Sequence, residues 1–254
     1  MLKDARIDRL RGYLRDNKYA TISDITALLG ISKATAYRDL SELSKFNEFT
    51  VTRGGAYLNS AAAGAELPYA EKRKHNHAEK VRIARAACDY IREDSTIILD
   101  TGTTTREMVT FIKEMRKLQV VTNDVLIAAE LADNQEIEIT VTGGNIRHGY
   151  YTLRGYYADY FLTQIKVDTA FLSADSVSPD SGCMVTNMDE LTVKQNMMRA
   201  ADRVILLCDH SKIGKKSFSM VCDISEIDLL ITGREVDAAL AESIREADCE
   251  VVLA

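Results

Sequence analysis

From residue 76 onward the chain alternates short apolar runs with amphipathic stretches, and no other feature constrains its fold as strongly. Residues 96–99, 119–122, 138–141, 167–172, 204–207, 229–232 and 251–253 read as strands. Residues 78–91, 104–115, 125–132, 155–164, 189–201 and 236–247 carry apolar residues at helical spacing. Strands that are apolar on both faces need a cover on each, so the alternation predicts an α/β fold with a parallel sheet between helical layers. Ligands of such sheets bind outside the carboxyl ends of the strands. The residues that each strand delivers at that end are therefore where function is to be sought.

The first strand ends in Asp100-Thr101-Gly102-Thr103-Thr104-Thr105, an acid, one glycine and four threonines leading into a helix. Free N–H groups at a helix start, hydroxyl donors and a glycine that lets a ligand approach the backbone suit an anion. Later strands deliver Thr122-Asn123-Asp124, then Gly143-Gly144-Asn145 with Arg147, then Ser173-Ala174-Asp175 and Asp209-His210-Ser211-Lys212. Lys194 lies on the helix that begins near Asp189. Cations and helix starts fit a phosphate, while Asp and Asn fit sugar hydroxyls. A phosphorylated sugar or polyol is the ligand class this inventory fits.

The first sixty residues have another character. Ile7, Leu10, Tyr13 and Leu14 give one apolar helix face, with Arg6, Arg9, Arg11 and Arg15 on the others. Ile22, Ile25, Leu28 and Leu29 form the face of a short helix that Gly30 ends, and Ser32 caps a third helix over residues 33–43. Helix, three-residue turn with glycine, helix is the helix-turn-helix arrangement. Small residues at the start of the third helix admit a major groove, with Ser32, Lys33, Thr35, Tyr37 and Arg38 in reach of bases or phosphates. Residues 49–58 alternate around Gly54-Gly55 and read as a β-wing with Arg53 at its tip. Charge agrees: residues 1–60 hold 10 Lys/Arg against 7 Asp/Glu, leaving 22 against 31 for an acidic remainder. Double-stranded DNA is the expected partner.

The domains expected are a winged helix-turn-helix over 1–60, a linker over 61–75 that contains Pro68, and an α/β effector-sensing and oligomerisation domain over 76–254. No apolar run reaches the ~18–20 residues of a membrane span, and the polar start is not that of a signal peptide. The five cysteines (Cys88, Cys183, Cys208, Cys222, Cys249) are widely spaced and form no C-x-x-C, which fits a reducing cytoplasm and excludes a disulfide framework. His75 and His77 lack carboxylate or thiol support for a metal, so neither a metal nor a cofactor is expected.

These motifs resemble the DeoR family of bacterial transcriptional regulators. The N-terminal match runs through Arg6, Leu10, Leu14, Ser32, Thr35, Arg38, Asp39 and Leu40 to the wing Arg53-Gly54-Gly55-Ala56. Tyr37 departs from it, standing where the family carries Arg or His. In the sensor half the resemblance covers Asp100 to Thr104, Thr122-Asn123, Gly143-Gly144, Arg154-Gly155, Asp168 to Phe171 and Asp209 to Lys212. It implies a sensor fold like ribose-5-phosphate isomerase and glucosamine-6-phosphate deaminase. It further implies a phosphate loop over Asp100, Thr101, Gly102, Thr103, Thr104 and Thr105, cations at Lys194 and Lys212, and a hydroxyl or structural partner at Asp168. Asn123, Gly143, Gly144 and Arg147 complete the expected effector site.

The alternative is a sugar-phosphate isomerase or deaminase with an appended DNA-binding module. Such chemistry needs a carboxylate base beside the substrate carbon. Isomerases of this fold carry an acidic cluster where this chain has Asp168-Thr169-Ala170-Phe171, and Phe171 relays no proton. Asp175, Glu190 and Asp209 are the conceivable bases left, with Asp209-His210 as a conceivable acid/base pair. The expectation is a non-enzymatic repressor of a carbohydrate-utilisation operon, acting as a dimer or tetramer.

Overall fold

The computed structural model describes residues 2–17, 19–44, 49–52, 54–58 and 69–254. The chain divides into two compact units, Met1–Glu71 and Lys72–Ala254.

In the first unit, helices α1 (Lys3–Asn17), α2 (Ile22–Leu29) and α3 (Lys33–Leu43) bury Leu10, Leu14, Ile25, Leu40 and Leu43 completely. Local chemistry sets the boundaries of α2. The Thr21 hydroxyl accepts from the Asp24 N–H at 3.1 Å and the Asp24 carboxylate accepts from the Thr21 N–H at 2.9 Å, a reciprocal cap. Gly30 closes α2 at φ 63°, a left-handed conformation that glycine adopts without a Cβ clash. The Ser32 hydroxyl then accepts from the Thr35 N–H at 3.3 Å and starts α3.

Strands β1 (Tyr19–Thr21), β2 (Phe49–Thr52) and β3 (Gly55–Leu58) form an antiparallel sheet in the order β1-β3-β2. The hairpin of β2 and β3 is the expected wing; its tip residue, Arg53, lies outside the described residues. Directly before α2, Tyr19–Thr21 is extended and pairs with β3. Thr21 is the reason: a capping residue takes β-region angles, so the chain before it is free to join the wing.

The second unit holds strands β4 (Thr96–Leu99), β5 (Leu118–Thr122), β6 (Ile137–Val141), β7 (Asn145–Ile146), β8 (Leu153–Arg154), β9 (Val167–Ser173), β10 (Ser176–Ser178), β11 (Gly182–Val185), β12 (Ala201–Leu207), β13 (Ser219–Cys222), β14 (Leu229–Thr232) and β15 (Glu250–Leu253). Seven of them form its main sheet, in the order β15-β14-β12-β9-β4-β5-β6, with every neighbouring pair parallel. Alternate residues feed opposite cores, as the pleat requires. Ile98, Ala170 and Leu206 join one core, to which helices Tyr156–Leu162, Leu191–Ala200 and Ala238–Glu246 contribute Leu162, Met197 and Ile244. Ile97, Leu99, Phe171 and Ile205 join the other, beneath Ile83 of helix His77–Cys88 and Ile127 of helix Val125–Leu131.

Two features depart from the expectation. The long helix expected after the threonine loop is a 3-10 turn, Thr105–Met108, followed by one α-helical turn, Val109–Ile112. A small antiparallel sheet of Ser176–Ser178, Gly182–Val185 and Ser219–Cys222 also stands beside the main one. Its strands of three and four residues are too short to show a period of two in the sequence.

Candidate functional site

Helix α3 turns Ala36, Asp39, Leu40 and Leu43 into the core of the first unit, leaving Lys33, Ala34, Tyr37 and Arg38 exposed on the other face. That split gives the helix a small-residue start and two cations on its free side. Ser32 and Thr35 are engaged with each other, their hydroxyls 3.1 Å apart. Asp39 is only 2% exposed and takes both nitrogens of the Arg6 fork, at 2.7 and 2.8 Å. This bidentate pair fixes the orientation of α3 against α1.

In the second unit Asp100 to Thr105 and Asn123 follow the carboxyl ends of β4 and β5, beside the end of β9. The loop after β4 is packed tightly: Thr101, Thr103, Thr104 and Thr105 are all buried. The Thr101 N–H donates to Asn123 Oδ1 at 2.7 Å, its hydroxyl donates to Asp124 Oδ2 at 3.0 Å and accepts from the Thr152 hydroxyl at 2.9 Å. Asp124 also caps its helix through the N–H groups of Leu126 and Ile127. Burial raises the pKa of this carboxyl, against the hydrogen bonds it accepts. The hydroxyl of Thr105 donates to the Gly102 carbonyl at 3.0 Å. The Thr104 hydroxyl and Asp100 Oδ1 are buried and make no hydrogen bond among the described residues.

Several expected ligand contacts are instead structural. Gly102 is not the opening for a ligand that its lack of a side chain suggests; a Cβ there would lie 2.7 Å from Ser173 Cβ and 2.8 Å from Thr105 Oγ1. The glycine lets β9 approach the loop. Lys194, expected to face a phosphate, has its ammonium buried beneath the loop, bonded to Asp100 Oδ2 and to the Ser173 carbonyl at 2.9 Å. Burial alone would lower its pKa, and the charges of Asp100 and Glu190 outweigh that and raise it. Asp100 Oδ2 also accepts from the Ser173 N–H at 2.9 Å and hydroxyl at 3.0 Å. Asp168 lies at the opposite edge of the sheet. As the second residue of β9 it accepts from the Thr96 N–H at 2.8 Å, at the amino end of β4, with Arg92 at 3.3 Å. It is a sheet-edge partner, outside the cleft.

The remaining expected residues follow the carboxyl ends of β6 and β12. Arg147 lies with its guanidinium carbon 3.7 Å from the centre of the Tyr150 ring and bonds Glu190 at 2.5 Å. Gly143 has a positive φ with open space where a Cβ would stand, whereas Gly144 packs against the Arg154 backbone. Lys212 donates to the Ala174 carbonyl just beyond β9. The conceivable Asp209-His210 pair does not form: His210 Nδ1 is 2.7 Å from Glu79 Oε2, while Asp209 accepts from Asn76 at 2.9 Å and from the Ser211 hydroxyl at 2.5 Å. Glu235 approaches the Glu79–His210 pair, with its two oxygens 2.6 and 2.8 Å from the Arg82 guanidinium.

Three residues escaped sequence reasoning. Lys80 is 2% exposed and donates to the carbonyls of Lys72 and His75, closing the end of helix Tyr69–Lys74. Its pKa is lowered to about 8 by burial, with Lys212 adding to the effect. Lys72 bonds Asp175 Oδ1 at 2.8 Å. Glu107, just past the threonine loop, faces Arg73 at 3.5 Å and His77 at 3.4 Å. The basic run 72–75 is legible in the sequence, but its pairing with residues a hundred positions away is not.

Residues 6–62 match the DeoR-like helix-turn-helix domain, and residues 75–234 match the DeoR C terminal sensor domain. This chain belongs to the DeoR family. Its relatives include the HTH-type transcriptional regulator GlpR of Haloferax volcanii, 32% identical over 99% of this chain and 98% of that one. The HTH-type transcriptional repressor GlcR of Bacillus subtilis is 30% identical over 100% and 97% of the two chains. The transcriptional repressor AccR of Agrobacterium fabrum is 32% identical over 92% of each. Among solved structures, ribose 5-phosphate isomerase A from Methanocaldococcus jannaschii superposes over 54% of each chain, with 18% identity and a TM-score of 0.41. As a member of the DeoR family the chain is a DNA-binding transcriptional regulator, not an enzyme. Among the described residues no helix is long and apolar enough to cross a membrane.

Proposed function

We propose that this DeoR-family regulator represses a carbohydrate-utilisation operon, binding its operator through α3 and the wing, and that a phosphorylated sugar or polyol sets its DNA affinity. Lys33, Tyr37 and Arg38 supply the DNA contacts from the exposed face of α3, with Ser32 and Thr35 shaping its start. The effector reading rests on Thr104, whose buried hydroxyl has no partner among the described residues, in a loop at the carboxyl ends of the strands. A buried hydroxyl left unpaired costs roughly 1–3 kcal/mol, which an acceptor such as a phosphate oxygen recovers. Gly143, with open space where a Cβ would stand, and Arg147 follow the carboxyl end of β6, and Arg147 brings a fork suited to phosphate. The protein acts as a homo-oligomer, a dimer or tetramer, on a repeated operator.

A thermal-shift screen of the full chain against sugar and polyol phosphates, with the unphosphorylated compounds as controls, tests the effector half. A ligand at about 100 times its Kd stabilises by ~2.7 kcal/mol. Stabilisation by a phosphate and none by its free sugar supports the reading. The absence of any response to phosphates overturns it.

A further inference from the structure

We propose that the tyrosine face of helix Tyr156–Leu162 is where two copies of this chain join, tyrosine against tyrosine about a two-fold axis. The proposal rests on the homo-oligomer reading and names the surface that carries it.

Three observations support it. The first is the patch itself. Ala158 and Leu162 turn into the core, so the helix leaves Tyr156, Tyr157 and Tyr160 outward, 73%, 71% and 55% exposed. A single exposed aromatic is ordinary, but these three adjoin one another. The ring of Tyr156 lies edge-on to Tyr157 with centroids 5.6 Å apart, and stacks on Tyr160 at 6.0 Å with the planes 12° apart. Tyrosine pairs an apolar ring with a polar tip, which is why it gathers at protein interfaces.

The second is area. A tyrosine side chain buries about 150–250 Å² when covered, so the exposed parts of the three present roughly 300–500 Å² in one place. A stable dimer buries ~800 Å² on each partner. The patch is large enough to be the apolar core of such an interface, with the polar residues around it as the rim.

The third is charge. Asp159 is the one charged residue of the helix and its Oδ1 is buried, while Arg154, two residues before the helix, is bonded to Asp189. A nucleic acid or an anionic lipid surface calls for cations, and the three tyrosines offer none. A two-fold axis sets a patch against itself, where like charges would repel and tyrosine rings pack edge to face. Ordering costs little here as well. The Asn196 side chain of helix Leu191–Ala200 donates to the Asp159 carbonyl at 3.3 Å, and the rings of Tyr156 and Tyr160 are stacked before any partner arrives.

Sedimentation velocity of the full chain, wild type against the double variant Tyr156→Glu/Tyr160→Glu, tests the assignment. Both positions are exposed, and an unchanged Tm shows that the variant is folded. Four carboxylates then meet across the axis, and self-association through this face is expected to weaken at least tenfold, on the order of a hot-spot loss. A variant that sediments at half the wild-type mass supports the proposal. A variant that keeps the wild-type mass overturns it and leaves the homo-oligomer reading standing, while a monomeric wild type overturns both. Tyr157→Cys gives a second readout that needs no disruption, because the five native cysteines are all buried. A flexible bismaleimide is expected to link two copies through that position; an oligomer that yields no linked dimer contradicts the assignment.

Discussion

Replacing Lys194 with methionine separates two roles for the same lysine, because it removes the charge and keeps most of the length. In the structure the ammonium is 2% exposed and Asp100 is 0% exposed, so the substitution strands a carboxylate that water cannot reach. Asp100 keeps the Ser173 N–H and hydroxyl as donors but loses its counter-ion. Removing one partner of such a pair costs about 3–5 kcal/mol. For a unit of this size each kcal/mol lowers the Tm by roughly 2–4 °C, which puts the expected drop at about 6–20 °C. The assay is urea and thermal unfolding of the full chain, tracking the transition of the second unit. Adding Asp100→Asn removes the stranded charge, so the double variant recovers much of the loss and the cycle gives a coupling above ~1 kcal/mol. A loss below ~1 kcal/mol in Lys194→Met would refute the buried-pair argument and return Lys194 to the cleft as a free cation.

Three further outcomes are expected. Arg38→Ala removes a cation from the exposed face of α3 and weakens operator binding by roughly 1–3 kcal/mol, read by fluorescence anisotropy; unchanged affinity contradicts the orientation of α3. Gly102→Ala places a methyl group against Ser173 and Thr105, costs about 1–3 kcal/mol in unfolding experiments, and weakens effector binding with it. Lys80 gives an unusual pH dependence. Its pKa is about 8 in the folded protein against 10.5 unfolded, so its protonation opposes folding below pH 8, and stability rises as the pH climbs from 8 to 10.5. The change is on the order of 3 kcal/mol, measured as the difference between wild type and Lys80→Met across that range.

The alternation of strands and helices made the parallel sheet legible, because fully buried strands announce themselves as apolar runs such as Ile97-Ile98-Leu99. Helix starts were equally readable wherever a single side chain sets them, as at Ser32 and Asp124. The carboxyl ends of the strands were legible as polar loops, at Asp100 and at the glycines 143 and 144. Orientation was not readable in the same way. A strand position does not say whether Asp168 serves the carboxyl or the amino edge of the sheet, and a lysine on a helix does not say whether it faces a ligand or a buried carboxylate. Lys194 and Asp100 satisfy each other across 94 positions, and Lys72 and Asp175 across 103. Such pairings are products of tertiary packing, with no local period to betray them. Gly102 shows the same limit: its missing Cβ was visible, but the neighbour that requires it, Ser173, was not.

In the function proposed above, a phosphorylated ligand at the threonine loop controls DNA binding by α3. Fluorescence anisotropy of the full chain on its operator, titrated with the stabilising sugar phosphate from the thermal-shift screen and with its free sugar, tests this most directly. At least a tenfold change in DNA affinity is expected with the phosphate, ~1.4 kcal/mol of coupling. No change is expected with the free sugar, and none with either compound in Thr104→Glu, which sets a carboxylate against the phosphate. Operator affinity indifferent to the phosphate, or an undiminished response in Thr104→Glu, would contradict it.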